Sequence, residues 1–107
     1  MLTVSIVIPV HNGGAAFRQC LQSLAAVAPL VQEIIVVDDG GADDSCLLAK
    51  EMGAVVLKFP TARGPAYARN RGAEQASGEI LFFIDADVTL TVETIEGIIS
   101  AFRDRPT

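Results

Sequence analysis

The chain has 107 residues, half of them hydrophobic, which suits a single compact domain with one core. Its net charge of -5 and its lack of a Lys/Arg cluster argue against nucleic acid or an anionic membrane surface as the partner. Any polyanionic ligand therefore needs a cation or a local dipole. The N-terminal segment lacks the features of a signal peptide, and Cys20 and Cys46 lack metal-ligand spacing, so we expect a cytoplasmic protein with reduced thiols.

In chain order, the first predicted elements form a βαβ unit. Residues 4–10 and 33–37 are β-branched and apolar on successive positions, as in strands that are buried on both faces. Apolar residues at positions i, i+3, i+4 and i+7 predict an amphipathic helix between them, namely Phe17, Cys20, Leu21 and Leu24. Strands of this kind favour a parallel sheet.

The middle of the chain repeats this alternation. A second helix is predicted to begin near Asp44 or Ser45, either of which can cap it, and a strand is predicted over 54–59. Pro65 suits the first turn of a third helix, and Gly78 suits a left-handed cap at its end.

The last predicted elements complete an open α/β sandwich. A fourth strand is expected within 79–88, and a fourth helix ending before Pro106 carries an apolar stripe of Ile95, Ile98, Ile99 and Phe102. Right-handed crossovers place helices on both faces of a sheet. The sequence thus predicts a Rossmann-like three-layer fold with a mainly parallel sheet of order 3-2-1-4.

Candidate binding residues, most of them polar, lie at the carboxyl ends of three of the predicted strands, where ligands bind in open α/β sheets. They are Pro9, His11 and Asn12 after strand one, Asp38 and Asp39 after strand two, and Asp85 and Asp87 after strand four. Since parallel strands deliver these ends to one edge, the sequence predicts a binding site there.

Asp85 and Asp87 are candidate metal ligands. In extended chain, residues two apart project to the same side, and two carboxylates at that spacing suit Mg²⁺ or Mn²⁺. A divalent ion would bridge a diphosphate to this acidic protein and stabilise its charge as it leaves. The alternative is that one carboxylate caps a turn and the other is solvated.

Asp39 is a candidate for recognising a base, because its carboxylate can accept a hydrogen bond from a ring N–H such as uracil N3. An ordinary Asp-Gly turn is the alternative. His11 can lie against a base or be a surface residue. Arg63 and Arg69 are candidates for contacting phosphate or base, although a solvated helix carries similar charges. Asn70 is expected on an inner helix face.

Four segments in this order resemble the nucleotide-binding half of an inverting family 2 glycosyltransferase with the GT-A fold: "VSIVIPVHNGG", "IIVVDDGGADDS", "GPAYARNRGAEQASGE" and "ILFFIDADV". The resemblance implies a nucleotide-diphosphate sugar donor, with UDP-sugar expected, and a divalent metal. It places Pro9, His11 and Asn12 along the nucleoside, Asp39 at the base, Asp85 near the ribose and Asp87 on the metal. Asp38 and Ala86 join the donor-contacting residues.

The resemblance also implies a second half that this chain lacks. That half carries the acceptor site and a carboxylate general base, so we expect residues 1–107 to be one truncated domain without a catalytic base. Its missing segments could hold the protein at the cytosolic face of the membrane, and the acceptor is a saccharide, lipid or protein. The uncovered edge of strand four predicts a homodimer.

Two other functions fit part of the sequence. "FFIDADVTL" satisfies the pattern of haloacid-dehalogenase phosphatases, in which Asp85 would be the nucleophile. Those enzymes need this strand early in the chain, followed by a lysine and further aspartates, whereas here it comes last. A non-catalytic nucleotide-binding module, or a receiver-like regulatory domain, is the second alternative, although a receiver requires a lysine after a late strand.

Overall fold

The computed structural model describes residues 2–104, in which strands and helices alternate strictly. The strands are β1 (Val4–Val10), β2 (Glu33–Asp39), β3 (Val55–Phe59) and β4 (Ile80–Phe83), and the helices are α1 (Gly14–Val27), α2 (Ser45–Glu51), α3 (Pro65–Gln75) and α4 (Val92–Arg103). A turn of 3₁₀ helix, Ala28–Leu30, follows α1. Pro106, the predicted limit of α4, lies outside the described residues.

The predicted sheet order is confirmed. The strands are parallel and ordered β3-β2-β1-β4, so β1 and β2 are central. Val7 is paired with Ile35 on β2 and with Phe83 on β4. The continuous apolar runs of β1 and β2 are almost completely buried, as expected for strands covered on both faces.

Helices cover the two faces unequally. Alternate residues of β1 from Val4 to Val10 pack with α1, α2 and α4 in the larger cluster, whereas Val7 packs with α3 in the smaller one. Gly72 lets α3 approach closely, since a Cβ there would lie 2.4 Å from Val7 Cγ1. Asn70 is exposed, so the prediction of an inner position for it was wrong. The small residues Ala68 and Gly72 face the sheet instead.

Gly78 has a different role from the predicted one. α3 ends at Gln75 through the extended residue Ala76, and Gly78 does not have a left-handed backbone. A Cβ at Gly78 would lie 2.7 Å from Ser5 N, so the close approach to β1 requires glycine.

A hydrogen-bond network holds the same connection at the amino ends of the strands. The Glu33 carboxylate accepts from Ser5 Oγ at 2.6 Å and from Ser77 N at 2.6 Å, and Gly78 N donates to Ser5 Oγ at 2.8 Å. Burial alone would raise the pKa of Glu33, but the hydrogen bonds from Ser5 and Ser77 lower it below its ordinary value. The network fixes the connection from α3 to β4 on the side opposite the predicted site.

β4 and α4 are only partly buried. β4 lies at the edge of the sheet beside β1, and Leu81 and Phe83 are 42% and 41% exposed, so the strand is not covered on both faces. The stripe on α4 buries Ile95 but leaves Phe102 57% exposed. Among residues 2–104, no helix combines the length and the apolar character needed to traverse a bilayer.

Candidate functional site

A cavity of about 220 Å³ opens at the carboxyl ends of the strands. The sheet edge brings together residues from β1, β2, the segment after β4 and the start of α3, namely Pro9, Val10, His11, Asp39, Pro65 and Asp85. Four of these six were predicted site residues. Val10 and Pro65 were missed, although the position of Val10 between Pro9 and His11 was a usable signal.

His11 lies at the exposed side of the cavity, and its orientation is fixed by β2. Its Nδ1 lies 2.8 Å from the Asp39 carbonyl oxygen. Because a carbonyl oxygen only accepts hydrogen bonds, Nδ1 carries the hydrogen, and in the neutral form of the ring Nε2 is an acceptor. The ring can therefore contact a ligand through its flat face or through Nε2.

Asp39 is 5% exposed and connects the cavity to α3. Its two carboxylate oxygens accept from Arg63 N and Gly64 N, each at 2.9 Å. Gly64 has φ +97°, a backbone conformation that favours glycine, and Pro65 then begins the helix. A carboxylate has about four lone-pair sites, so Asp39 retains acceptor capacity for a ligand.

Asn12 lies outside the cavity lining and shapes the loop beside it. With φ +51°, it directs Oδ1 to the backbone N–H groups of Ala42 at 2.7 Å and Asp43 at 3.2 Å. Asp43 Oδ1 accepts from Ser45 N at the start of α2. Hydrogen bonds from the Ser45 hydroxyl and backbone lower the pKa of Asp43. Asn12 thus ties the loop after β1 to the loop after β2.

Asp38 also lies apart from the cavity. Its side chain is fully buried and forms an ion pair with Lys58 Nζ at 3.4 Å, while Gly41 N donates to its Oδ1 at 3.0 Å. A Cβ at Gly41 would lie 2.6 Å from this oxygen, so a larger residue there would displace the Asp38 side chain. These contacts give Asp38 a structural role in holding β3 and the loop after β2.

The candidate arginines do not line the cavity. The Arg63 guanidinium lies over the Tyr67 ring, 5.2 Å from its centroid, and Arg69 occupies a half-buried position on α3. Arg71 is exposed and pairs with Glu74 at 3.1 Å. The backbone of Arg63 nonetheless contacts a residue of the cavity, because its N–H donates to the Asp39 carboxylate.

The segment that carries Asp85 and Asp87 is a turn, not the predicted extended strand. β4 ends at Phe83, and Val88 N donates to the Asp85 carbonyl at 3.1 Å, which closes the turn over Ala86 and Asp87. Side chains along residues 84–90 still alternate between the core and the surface. Apolar residues pack into the core, namely Ile84, Ala86, Val88 and Leu90, whereas Asp85 and Asp87 are exposed.

The two carboxylates fit part of a site for a hard cation. Within residues 2–104 neither carboxylate makes a hydrogen bond or an ion pair, so both are available to a ligand. The described residues contain no group of three or more acidic, histidine or cysteine side chains that could hold a metal. Mg²⁺ is commonly bound by one or two carboxylates together with phosphate oxygens and water, and two carboxylates satisfy that pattern.

Comparison with known protein sequences identifies a family. The family model described as Glycosyl transferase family 2 matches residues 5–107. "Uncharacterized glycosyltransferase YibD" from Escherichia coli is 39% identical over 88 residues, which cover 78% of this chain and 26% of that protein. "Pre-mycofactocin glycosyltransferase" from Mycobacterium tuberculosis is 33% identical over 104 residues, which cover 94% of this chain and 21% of that protein. The chain thus spans about a quarter of the length of these relatives.

Solved structures give the same result. Residues 1–349 of TarS from Staphylococcus aureus match with a TM-score of 0.86 and 25% identity, over 96% of this chain and 33% of theirs. A second match, with a TM-score of 0.77 and 28% identity, is glucosyl-3-phosphoglycerate synthase from M. tuberculosis in complex with Mn²⁺, UDP and glucosyl-3-phosphoglycerate. It covers 94% of this chain and 39% of that one. These matches confirm the GT-A fold, but they give no support to the predicted homodimer.

Proposed function

Because the chain belongs to glycosyl transferase family 2, we propose that it is the donor-binding part of an enzyme that transfers a sugar from a nucleotide diphosphate. The donor is a UDP-sugar, and the acceptor is a saccharide, lipid or protein. The observation that carries the proposal is the cavity at the strand ends, which joins His11, Asp39 and Asp85. Family membership argues against the phosphatase interpretation of Asp85.

The size of the cavity suits one part of the donor. Its volume of about 220 Å³ lies below the roughly 300–1,000 Å³ of complete small-molecule sites. A planar base fills such a space between Pro9 and Pro65, with His11 against its face or edge. The remaining acceptor capacity of Asp39 receives the base N–H, and Asp85 reaches the ribose at the rim. This arrangement favours a base with a ring N–H donor, such as uracil with its N3–H.

The diphosphate then lies outside the cavity, beside the turn after β4. Asp85 and Asp87 would hold a Mn²⁺ or Mg²⁺ ion there, and Ala86 brings its backbone next to the same group. The ion supplies charge neutralisation for the leaving diphosphate. Two exposed carboxylates and a net charge of -5 repel a free diphosphate, so binding requires the cation. Arg63 and Arg69 stay as candidate phosphate contacts.

The proposal assigns no residue of this chain to deprotonate the acceptor. We expect the complete enzyme to transfer the sugar to its acceptor and to be cytoplasmic. Residues 1–107 form its donor-binding unit.

Calorimetry with UDP tests the proposal. The chain should bind UDP in Mn²⁺ and lose most of that affinity in EDTA, and Asp87→Ala should lower the affinity in Mn²⁺ to the EDTA level. Asp104→Ala, which replaces another exposed aspartate at the C-terminal end of α4, is the matched control and should behave like wild type. Equal UDP affinity in Mn²⁺ and in EDTA would refute the metal assignment.

A further inference from the structure

The hydroxyl of Ser23 on α1 holds the segment that carries Asp85 and Asp87. Ser23 Oγ donates to the Cys20 carbonyl at 2.7 Å and accepts from Leu90 N at 3.0 Å. A hydroxyl has one donor hydrogen and two lone pairs, so both hydrogen bonds form at once. Ser23 thus connects a turn of α1 to the end of the segment 85–90.

This hydrogen bond has no equivalent along the segment. In the part of the chain that the structure describes, Ser23 is the one side chain of another element that hydrogen-bonds residues 85–90. Leu90 is 8% exposed, so its N–H has little access to water. Without the hydroxyl, this donor loses its partner, and the segment keeps only the turn within Asp85–Val88 and its apolar packing.

The negative charge of Asp87 acts electrostatically on Cys20, in the same turn of α1. Burial raises the pKa of the Cys20 thiol to about 11, and the Asp87 carboxylate adds to that increase. Cys20 is also the residue whose carbonyl accepts from Ser23.

We propose that Ser23 is a positioning residue for the Asp85 and Asp87 carboxylates, because its hydroxyl fixes the distal end of their segment against α1. This inference rests on the proposed function, in which these carboxylates hold the cation and the diphosphate. Ser23 does not line the cavity that receives the base. Its loss should therefore weaken metal-dependent binding and leave base binding unchanged.

The test compares Ser23→Ala and Ser23→Thr in the 107-residue chain. Ser23→Ala should weaken UDP binding in Mn²⁺ by about tenfold, the scale set by one unsatisfied buried donor, and leave binding of the free base uracil in EDTA unchanged. Ser23→Thr keeps the hydroxyl and should restore UDP binding. Hydrogen exchange at Leu90 N–H should accelerate in Ser23→Ala and not in Ser23→Thr. Ser100→Ala, a half-buried serine on α4, is the matched control.

The outcomes separate this inference from the proposed function. Wild-type UDP affinity that is equal in Mn²⁺ and EDTA would refute the metal assignment in the proposed function, and the role of Ser23 with it. If wild type binds UDP in a metal-dependent way and Ser23→Ala binds UDP with the same affinity as wild type, only the role of Ser23 is overturned. An equal loss of uracil and UDP affinity, or unchanged exchange at Leu90, would overturn it as well, because either result shows that the hydroxyl does not act specifically on this segment.

Discussion

Replacing Asp39 by asparagine tests the part of the site that belongs both to the fold and to the cavity. The carboxylate accepts two backbone hydrogen bonds, from Arg63 N and Gly64 N, each at 2.9 Å. Asparagine offers one carbonyl oxygen and an NH₂ group, so one of the two N–H groups would face another donor. An unsatisfied buried donor costs about 1–3 kcal/mol. We therefore expect Asp39→Asn to lose about 2 kcal/mol of stability, which lowers the thermal midpoint by roughly 8–16 °C.

Binding should change selectively in the same variant. Uridine affinity should fall at least about tenfold, since the base loses an acceptor, while pyrophosphate should bind in Mn²⁺ as it does to wild type. Thermal unfolding and calorimetry measure the two effects. Asp44→Asn is the control, because Asp44 is exposed and pairs with Arg18 at the surface, where such a pair contributes at most about 1 kcal/mol. An unchanged midpoint would refute the backbone role of Asp39, and an equal loss of pyrophosphate binding would refute its role at the base.

Three further predictions concern stability. Gly72→Ala should destabilise the chain by about 1–3 kcal/mol in urea unfolding, because its Cβ would lie 2.4 Å from Val7 Cγ1, whereas Gly97→Ala, with no atom within 4 Å, should stabilise it by about 0.5–1 kcal/mol. Burial raises the pKa of Cys20 from 9.0 to about 11, so its contribution to stability is complete below about pH 9 and is lost as pH rises toward 11. Cys20→Ala should flatten that part of the pH profile, and an unchanged slope would contradict this. Thr91→Ala removes the hydroxyl that accepts from Thr94 N at 3.2 Å and should lower the free energy of unfolding by about 1 kcal/mol. Urea titration followed by far-ultraviolet circular dichroism measures this loss, and a curve identical to that of wild type would contradict it.

The sequence determined the order of the elements and the edge of the sheet that carries the site. Continuous β-branched runs indicated strands that are buried on both faces, and the spacing of Phe17 and Leu24 indicated the helix that covers one face. Right-handed crossovers then left few arrangements of four parallel strands, of which 3-2-1-4 is the one observed. Because parallel strands end at the same edge, the meeting of Pro9, Asp39 and Asp85 followed from that order.

Only the tertiary structure decided which polar residues reach the cavity and which support it. Asp38 and Asp39 are neighbours on one strand, so they project to opposite faces, where one meets Lys58 and the other holds the start of α3. The roles of Asn12 and Ser23 depend on backbone groups 30 and 67 residues away, and no local pattern encodes such partners. Periodicity records which side of an element is buried, but a hydrogen bond across the fold is set only when two distant segments are brought together.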